Sequence, residues 1–406
     1  MRRDARTVAA LAVVGLLLGA CGASAGDATG TEGPDGEPIA IGFLGELTGN
    51  FAIWGVPARN GMRLAVDEIN DDGGIDGRPL ELVERDTRSA PEEGVTALRG
   101  LVERDEVVAV GGLVDSDVAL ATAREAEVSE VPLFLVKAGS PRILTAESRF
   151  TFRTCLPAAP MTMEPFAQLI DDEGIERVAA IVADYEWGRA IEQAIEERIA
   201  PLTEQLRIEV APVGENDFTA YLRRLEELDP ELIIGTGHPP GAVAMTEQAA
   251  DLGFDGRVTG PNSPVEVVME TIGETAYERY VDLSCADYGS SDYQALARRY
   301  HARFDAFMED DAVSGYAQVT MVAEAIEATG SHDPTDIAGY LRETTFDPPG
   351  YAWDLRWTSW GELADAQPLL TVIRETEPPQ DVAPDAAWYP QTLFQAEPLE
   401  PFDPQR

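Results

Sequence analysis

Apolar residues in this chain fall into two alternating spacings. Short continuous runs such as "IAIGFLGEL", "VVAVGG" and "VPLFLV" read as strands buried on both faces. Between them the apolar positions recur at helical spacing. Met62, Ala65, Val66 and Ile69 line one face of a helix over about 56–70, and further helices are predicted over about 91–104 and 117–127. "GGIDGRPLELVERD" is a glycine turn entering a strand, and "RFTFRTCL" is a strand that closes this first run. The alternation then restarts. "RVAAIVAD", "RIEVAPV", "ELIIGTG" and "GRVTG" read as strands, with helices over 187–199, 218–228 and 241–252. Helices over about 292–308 and 315–328 follow, then two strand-like pieces, "YAWDLRW" and "LLTVIRE", and an irregular Pro-rich end.

Strands alternating with helices imply parallel sheets with helices on both faces. Two such runs in 406 residues, 44% of them hydrophobic, predict an α/β protein with two doubly wound lobes. Open sheets of this kind bind ligands at the carboxyl ends of their strands. The loops to inspect are "GELTGNFAIWG", "GGLVDSD" and "VKAGSP" in the first run, and "ADYEWGR", "GTGHPPG" and "TGPNSP" in the second. They are rich in Gly, Pro and aromatic residues and poor in cations. The acids Glu46, Asp115, Asp117, Asp184 and Glu186 lie in or beside them.

The amino terminus carries a separate signal. "MRRDAR" is basic, "TVAALAVVGLLLGA" is apolar but short for a membrane span, and the stretch ends Leu18-Gly19-Ala20-Cys21. This resembles a bacterial lipobox, so residues 1–20 are expected to be a signal peptide and Cys21 the lipidated mature end. Residues 21–38 are a Gly/Ser/Asp-rich tether. The expected location is therefore the outer face of the cell membrane, held by lipid. Charge narrows the partners further. The chain has 30 Lys+Arg against 73 Asp+Glu, a formal net charge of −43, and the acids are spread along its whole length. That excludes nucleic acid, which needs a cationic surface. Lysine is scarce and appears in the body of the chain at Lys137. The pattern is that of a halophile's protein, with the plainly acidic extracellular protein as the alternative.

"GFLGELTGNFAIWGVPARNGMRLAVDEINDDGGIDGRPLELVERD" resembles the opening of the branched-chain amino-acid-binding proteins, the type I periplasmic binding proteins of ABC importers. "RFTFRT", "ENDFTAYLRRLEELDPELIIGTG" and "RWTSWGEL" resemble later parts of the same family, in the same order, over about residues 39–375. The resemblance implies two lobes joined by a three-strand hinge: 39–155 plus 286–345, and 156–284 plus 346–398, with 399–406 as a tail. It implies a leucine-binding-protein-like receptor that closes on a small-molecule ligand and delivers it to ABC permease subunits. No cofactor and no metal is expected. A sensor module of a signalling system is the alternative function. An enzyme is not expected: His238, His301 and His332 are scattered, His301 reads as a surface residue, and no nucleophile or phosphate-loop motif is present.

The resemblance also assigns ligand contacts. Trp54 and Trp187 match aromatics that pack over the ligand, with Tyr185 as a substitute for Trp187. Leu113, Val114, Asp115 and Ser116 match the loop whose hydroxyl holds an amino acid's carboxylate. Ala138 and Gly139 match a second such loop, with Gly139 where a threonine is usual and Ser140 following. His238 matches the region of a second-lobe tyrosine, and Asn262 stands where the family carries a glutamate for the ligand's ammonium. Asp115 and Asn262 thus depart from the pattern that holds a zwitterion. They point either to a neutral or cationic ligand (an amide, a urea-like compound, an amine) or to an ordinary amino acid, with Asp115 serving as a helix N-cap and Ser116 taking over the carboxylate. The same alignment puts Cys155 and Cys285 at the ends of crossover strands, as a hinge disulfide or as two buried free thiols.

Overall fold

The structure, a computed structural model, describes residues 36–236, 242–259 and 263–405. The expected signal peptide, Cys21 and nearly all of the tether lie outside the described residues, as do His238 and Asn262.

The first sheet is built from β1 (Ile39–Gly45), β2 (Leu80–Asp86), β3 (Val110–Leu113), β4 (Leu133–Leu135) and β5 (Thr151–Arg153). Its order is β2-β1-β3-β4-β5 and all its pairings are parallel. Helices α1 (Ala52–Asp71), α2 (Pro91–Glu103) and α3 (Ser116–Ser129) connect its first four strands. Alternation along each strand sorts the side chains between two cores. Ile39, Ile41, Phe43 and Phe134 join Ala58, Met62 and Ala65 of α1, whereas Leu44, Val110, Leu133 and Leu135 join Leu98 and Leu101 of α2 and Val118 of α3. That is why these strands read as continuous apolar runs.

After α4 (Ala159–Thr162) and α5 (Glu164–Glu173) the second sheet begins with β6 (Arg177–Ala183). It continues through α6 (Glu186–Arg198), β7 (Gln205–Ala211), α7 (Thr219–Leu225), β8 (Leu232–Gly235), α8 (Ala242–Asp251), β9 (Arg257–Thr259), α9 (Val265–Ile272) and β10 (Tyr280–Ser284). Helices α10 (Ser291–Phe304), α11 (Asp310–Thr329) and α12 (Pro334–Glu343) then intervene, before β11 (Leu369–Glu375) and β12 (Trp388–Gln395) complete the sheet. Its order is β12-β11-β10-β9-β8-β6-β7, antiparallel at β10–β11 and β11–β12 and parallel elsewhere.

Helices α10 and α11 return to the first sheet's side, where α11 packs along α1. A Cβ at Gly61 would overlap the Ala312 carbonyl oxygen, and one at Gly315 would overlap the Ala58 carbonyl oxygen. The two helices therefore touch backbone to backbone, which only glycine permits. The chain thus passes between the sheets three times: after β5, after β10 and after α12. Cys155 and Cys285, at the first and second passages, are joined by a disulfide with Cα atoms 5.3 Å apart. The second and third passages meet at the Ala286–Tyr351 bridge.

Several elements differ from expectation. "YAWDLRW" forms no strand; Leu355 and Trp357 make isolated bridges to Phe346 and Leu363. The aromatic-rich pattern there reflects burial against β5, with Trp357 Nε1 donating to the Arg153 carbonyl at 2.6 Å. "RFTFRTCL" contracts to Thr151–Arg153, because the residues on either side turn to meet other elements. Helices α4, α5, α9 and α12 and strands β10 and β12 are additional to the predicted elements. His301 is half-buried at the surface, with its side chain 25% exposed and Nε2 3.9 Å from Asp305.

The disulfide closes a sequence separation of 130 residues. In the chain-entropy view a loop of that size corresponds to about 5 kcal/mol at most. Reduction, or Cys155→Ser with Cys285→Ser, is expected to lower the thermal midpoint without abolishing the fold. Two alkylatable thiols before reduction, read by mass spectrometry, would contradict the bridge.

Candidate functional site

The carboxyl ends of β1, β3, β4 and β6 face a common region. After β1 the chain turns through Glu46 and Phe51 into α1, whose first turn carries Trp54. After β3 it passes Val114 and Asp115 into α3. Asp115 N-caps that helix, its Oδ1 accepting from Asp117 N–H at 2.8 Å. Asp115 is nevertheless buried, at 4% exposure, and so is Glu46, at 0%. Glu46 accepts from Thr87 Oγ1 at 3.2 Å and from Val114 N–H at 3.3 Å. From the second sheet, Tyr185 follows β6 and lays its ring 5.6 Å from that of Phe51, which lies 5.8 Å from Trp54. Two buried acids thus lie in the loops next to these rings, and the Tyr185 phenol feels the charge of Asp115.

The loop after β4, residues 136–142, is held from three directions. Lys137 Nζ donates to Asp310 Oδ1 at 2.8 Å and to Asp311 Oδ2 at 2.9 Å, at the start of α11. Arg153, fully buried on β5, donates to the Ala138 carbonyl and, at 2.6 Å, to the Ser140 carbonyl, while its Nε donates to Glu362 at 2.9 Å. Trp187 covers Gly139: a Cβ there would overlap the indole Cζ3. The place where a threonine is usual in the resembling proteins is therefore filled by Trp187. Ser140 Oγ donates to Glu186 Oε1 at 2.6 Å, and Arg142 donates to Glu186 Oε2 at 2.9 Å.

Burial sets the electrostatics. Desolvation, reinforced by the negative charge of Asp115, raises the Glu46 carboxyl to about 8 despite its hydrogen bonds. Desolvation likewise raises Asp115 to about 7, against the pull of the N–H groups it caps. Burial and the charges of Asp115 and Asp117 push the Tyr185 phenol well up, so it stays neutral. Lys137 behaves oppositely: burial disfavours its charge, but Asp310 and Asp311 outweigh that and hold it above its ordinary value.

Trp54, Leu113, Val114, Asp115, Ser116, Ala138, Gly139, Tyr185 and Trp187 all come to this region, and all but Gly139 are buried side chains in the two lobes' cores or loops. Ser116 Oγ accepts from Ser140 N–H at 3.4 Å, which ties the two first-sheet loops together. Sequence reasoning did not single out Phe51, Arg142, Arg153, Glu186 or Glu362 as site residues, nor Glu46 as a contact. Glu46 had a usable signal, its place just beyond a strand's carboxyl end. Arg153 and Glu362 had none, since their pairing spans 209 positions.

Glu46 and Asp115 bind protons more tightly in the folded chain than in the unfolded one. Their contribution is fully present below about pH 4 and is lost as pH rises through about 7 to 8. Stability of the unliganded protein is therefore expected to fall over that window. Asp282, raised to about 8 by burial, and Asp311, raised to about 7, add to the same slope. Glu46→Gln should flatten the dependence and make the variant the more stable protein at pH 8, read from urea unfolding at several pH values. An unchanged slope would show that Glu46 is ionised at neutral pH.

The sequence profile of the family described as "Periplasmic binding protein" matches residues 38–369. The leucine-, isoleucine-, valine-, threonine- and alanine-binding protein of Pseudomonas aeruginosa is 26% identical over 319 residues, 77% of this chain and 84% of its own length. The branched-chain amino acid transporter substrate-binding protein LivJ of Streptococcus pneumoniae, solved with isoleucine, superposes with a TM-score of 0.76 at 21% identity, covering 90% of this chain and 100% of that one. A solute-binding protein of an ABC transporter from R. palustris, solved with benzoate, superposes with a TM-score of 0.75 at 18% identity, covering 90% and 98%. These relatives are binding proteins, and no helix among the described residues is long and apolar enough to cross a membrane. With the two-sheet α/β architecture, the chain belongs to the periplasmic binding protein family, of the type I fold, and is a binding protein rather than an enzyme.

Proposed function

We propose that this protein is the lipid-anchored solute receptor of an ABC importer and that its cleft captures a small organic amine. The observation that carries the ligand class is the buried Glu46–Asp115 pair, in loops where Phe51 and Trp54 of one lobe meet Tyr185 of the other. Two carboxyls kept from water are expensive to ionise unless a cation joins them. Aromatic faces add attraction for such a cation. An amino acid would bring a carboxylate toward these acids, where like charge opposes it. The family supports the receptor role, with lobes divided at the three passages described above and closing about them. The lipobox ending at Cys21 supports attachment at the outer membrane face, and delivery to a permease follows from the family's transporter context.

The charge distribution supports a second part of the proposal, adaptation to high salt. Self-repulsion at −43 is long-ranged in dilute buffer and screened in concentrated salt.

A thermal-shift panel tests the ligand class. Methylated and primary amines are expected to raise the midpoint, more strongly at pH 8 than at pH 6, because binding charges the acid pair and releases protons. Glu46→Gln should weaken amine binding about tenfold or more, the loss of one close charge partner. Stabilisation by leucine or valine with none by amines would overturn the reading, and a response confined to amides or urea would replace the amine with a neutral ligand. The salt reading predicts a midpoint that rises steadily from dilute buffer to molar sodium chloride; a flat or falling curve contradicts it.

A further inference from the structure

The loop over residues 138–142, which the resemblance assigns to a ligand's carboxylate, already holds a carboxylate, and it is the protein's own. Glu186 opens α6, beyond β6 of the second sheet, yet both its oxygens are engaged by the loop after β4 of the first. Ser140 Oγ donates to Oε1 at 2.6 Å and Arg142 to Oε2 at 2.9 Å, and the Glu186 side chain is only 5% exposed. We propose that Glu186 is an internal carboxylate that occupies the anion-receiving part of the cleft when the lobes close, and that it sets this receptor against carboxylate-bearing ligands. The inference rests on the solute-receptor reading and names the class of ligand that the closed cleft refuses.

The surroundings favour this assignment over a chance surface pair. An exposed ion pair contributes little and holds no fixed geometry. Here the carboxylate is buried and receives a short hydroxyl bond as well as a guanidinium. Ser140 is itself fixed: its carbonyl is held by Arg153 and its N–H by Ser116. The other charged groups facing Glu186 are Arg189, 3.8 Å from Oε2, and Asp117, whose carboxylate accepts from the Glu186 N–H. Beside this contact Trp187 lies over Gly139 and leaves no room for a side chain there. Ser140 Oγ and Arg142 Nη1, the side-chain donors that this loop turns to Glu186, are thus engaged from within.

An arriving carboxylate faces two costs. If it displaces Glu186, that buried acid loses Ser140 and Arg142; if it sits beside Glu186, two anions share one site. A ligand without a carboxylate meets neither. The contact also joins loops of opposite sheets, so Glu186 acts as a latch that forms on closure and needs no ligand atom to form.

The test uses the mature chain as wild type, Glu186→Ala and Glu186→Gln, all at the same ionic strength. In Glu186→Ala the vacated position is expected to take up acetate, so sodium acetate raises the thermal midpoint by several degrees relative to sodium chloride. Wild type should show no acetate effect, and Glu186→Gln, whose neutral amide is displaced without stranding a charge, a smaller one than Glu186→Ala. Leucine, read by titration calorimetry, should bind at least about tenfold more tightly to both variants than to wild type. Circular dichroism establishes that each variant folds, and Glu186→Gln, which keeps the side chain's shape, carries the leucine comparison if the alanine variant does not. An acetate shift common to all folded proteins, the absence of any leucine gain, or wild-type leucine binding as tight as the variants' would overturn the proposal. An acetate and leucine response in the variants without amine capture by any of them retains the Glu186 assignment and sinks the amine reading. Amine capture with neither response does the reverse.

Discussion

Everything at the cleft is referred to one loop, residues 137–142, and that loop depends on buried charge. Lys137 is the chain's only lysine, and it is enclosed with Asp310 and Asp311 at the head of α11. Nine residues after the loop's far end begins β5, whose Arg153 is among the largest fully buried side chains of the described residues. It spends its guanidinium on two carbonyls of the loop and on Glu362. Buried ion pairs are weak as net stabilisers, because desolvation offsets most of their attraction. Removing one partner is another matter, since it strands a charge without water. Such pairs therefore act as constraints on position. They leave the loop one arrangement, and Trp187, Ser116 and Glu186 dock against it.

The protein handles its acidity in two opposite ways. On the surface, carboxylates are hydrated and supply the large negative charge. Within the cleft and behind it, Glu46, Asp115, Asp282 and Asp311 are held near or above neutrality by burial. Neighbouring groups then decide what each acid does. Asp311 has Lys137 against it and serves the frame. Glu46 has the negative charge of Asp115 near it, and in the proposed reading a ligand's cation would join the pair.

The three passages between sheets join these parts mechanically. The disulfide links two of them, and Asp310, which holds Lys137, begins the helix that packs along α1 at glycine contact. The β4 loop and the passages are consequently coupled through a few rigid contacts. If the lobes close on a ligand as proposed, the short segments between these contacts are where the chain would bend, and the binding loops would keep their shape.

How much of this could be read in advance follows from the range of the interactions. The alternation of Ile39, Ile41 and Phe43 against Leu44, and the helical spacing of Met62, Ala65 and Val66, depend on neighbours within a few residues, so the α/β class and most elements were legible from the sequence alone. So was the placing of Trp54, Asp115 and Gly139 at strand ends, since loops follow strands in order. "YAWDLRW" misled because its aromatics are buried by distant β5 and not by a sheet of its own. The N-cap role of Asp115 was also local, but its burial beside Glu46 was not, because that depends on two loops 69 positions apart being brought face to face. The sequence by itself determined the family, the lobes' layers and the overall charge, all of which are sums over local pattern. Only the tertiary structure decided that Glu186 would answer Ser140 and Arg142, that Trp187 would cover Gly139, and that Arg153 would find Glu362. Those are contacts between residues 44 to 209 positions apart, and no local periodicity encodes them.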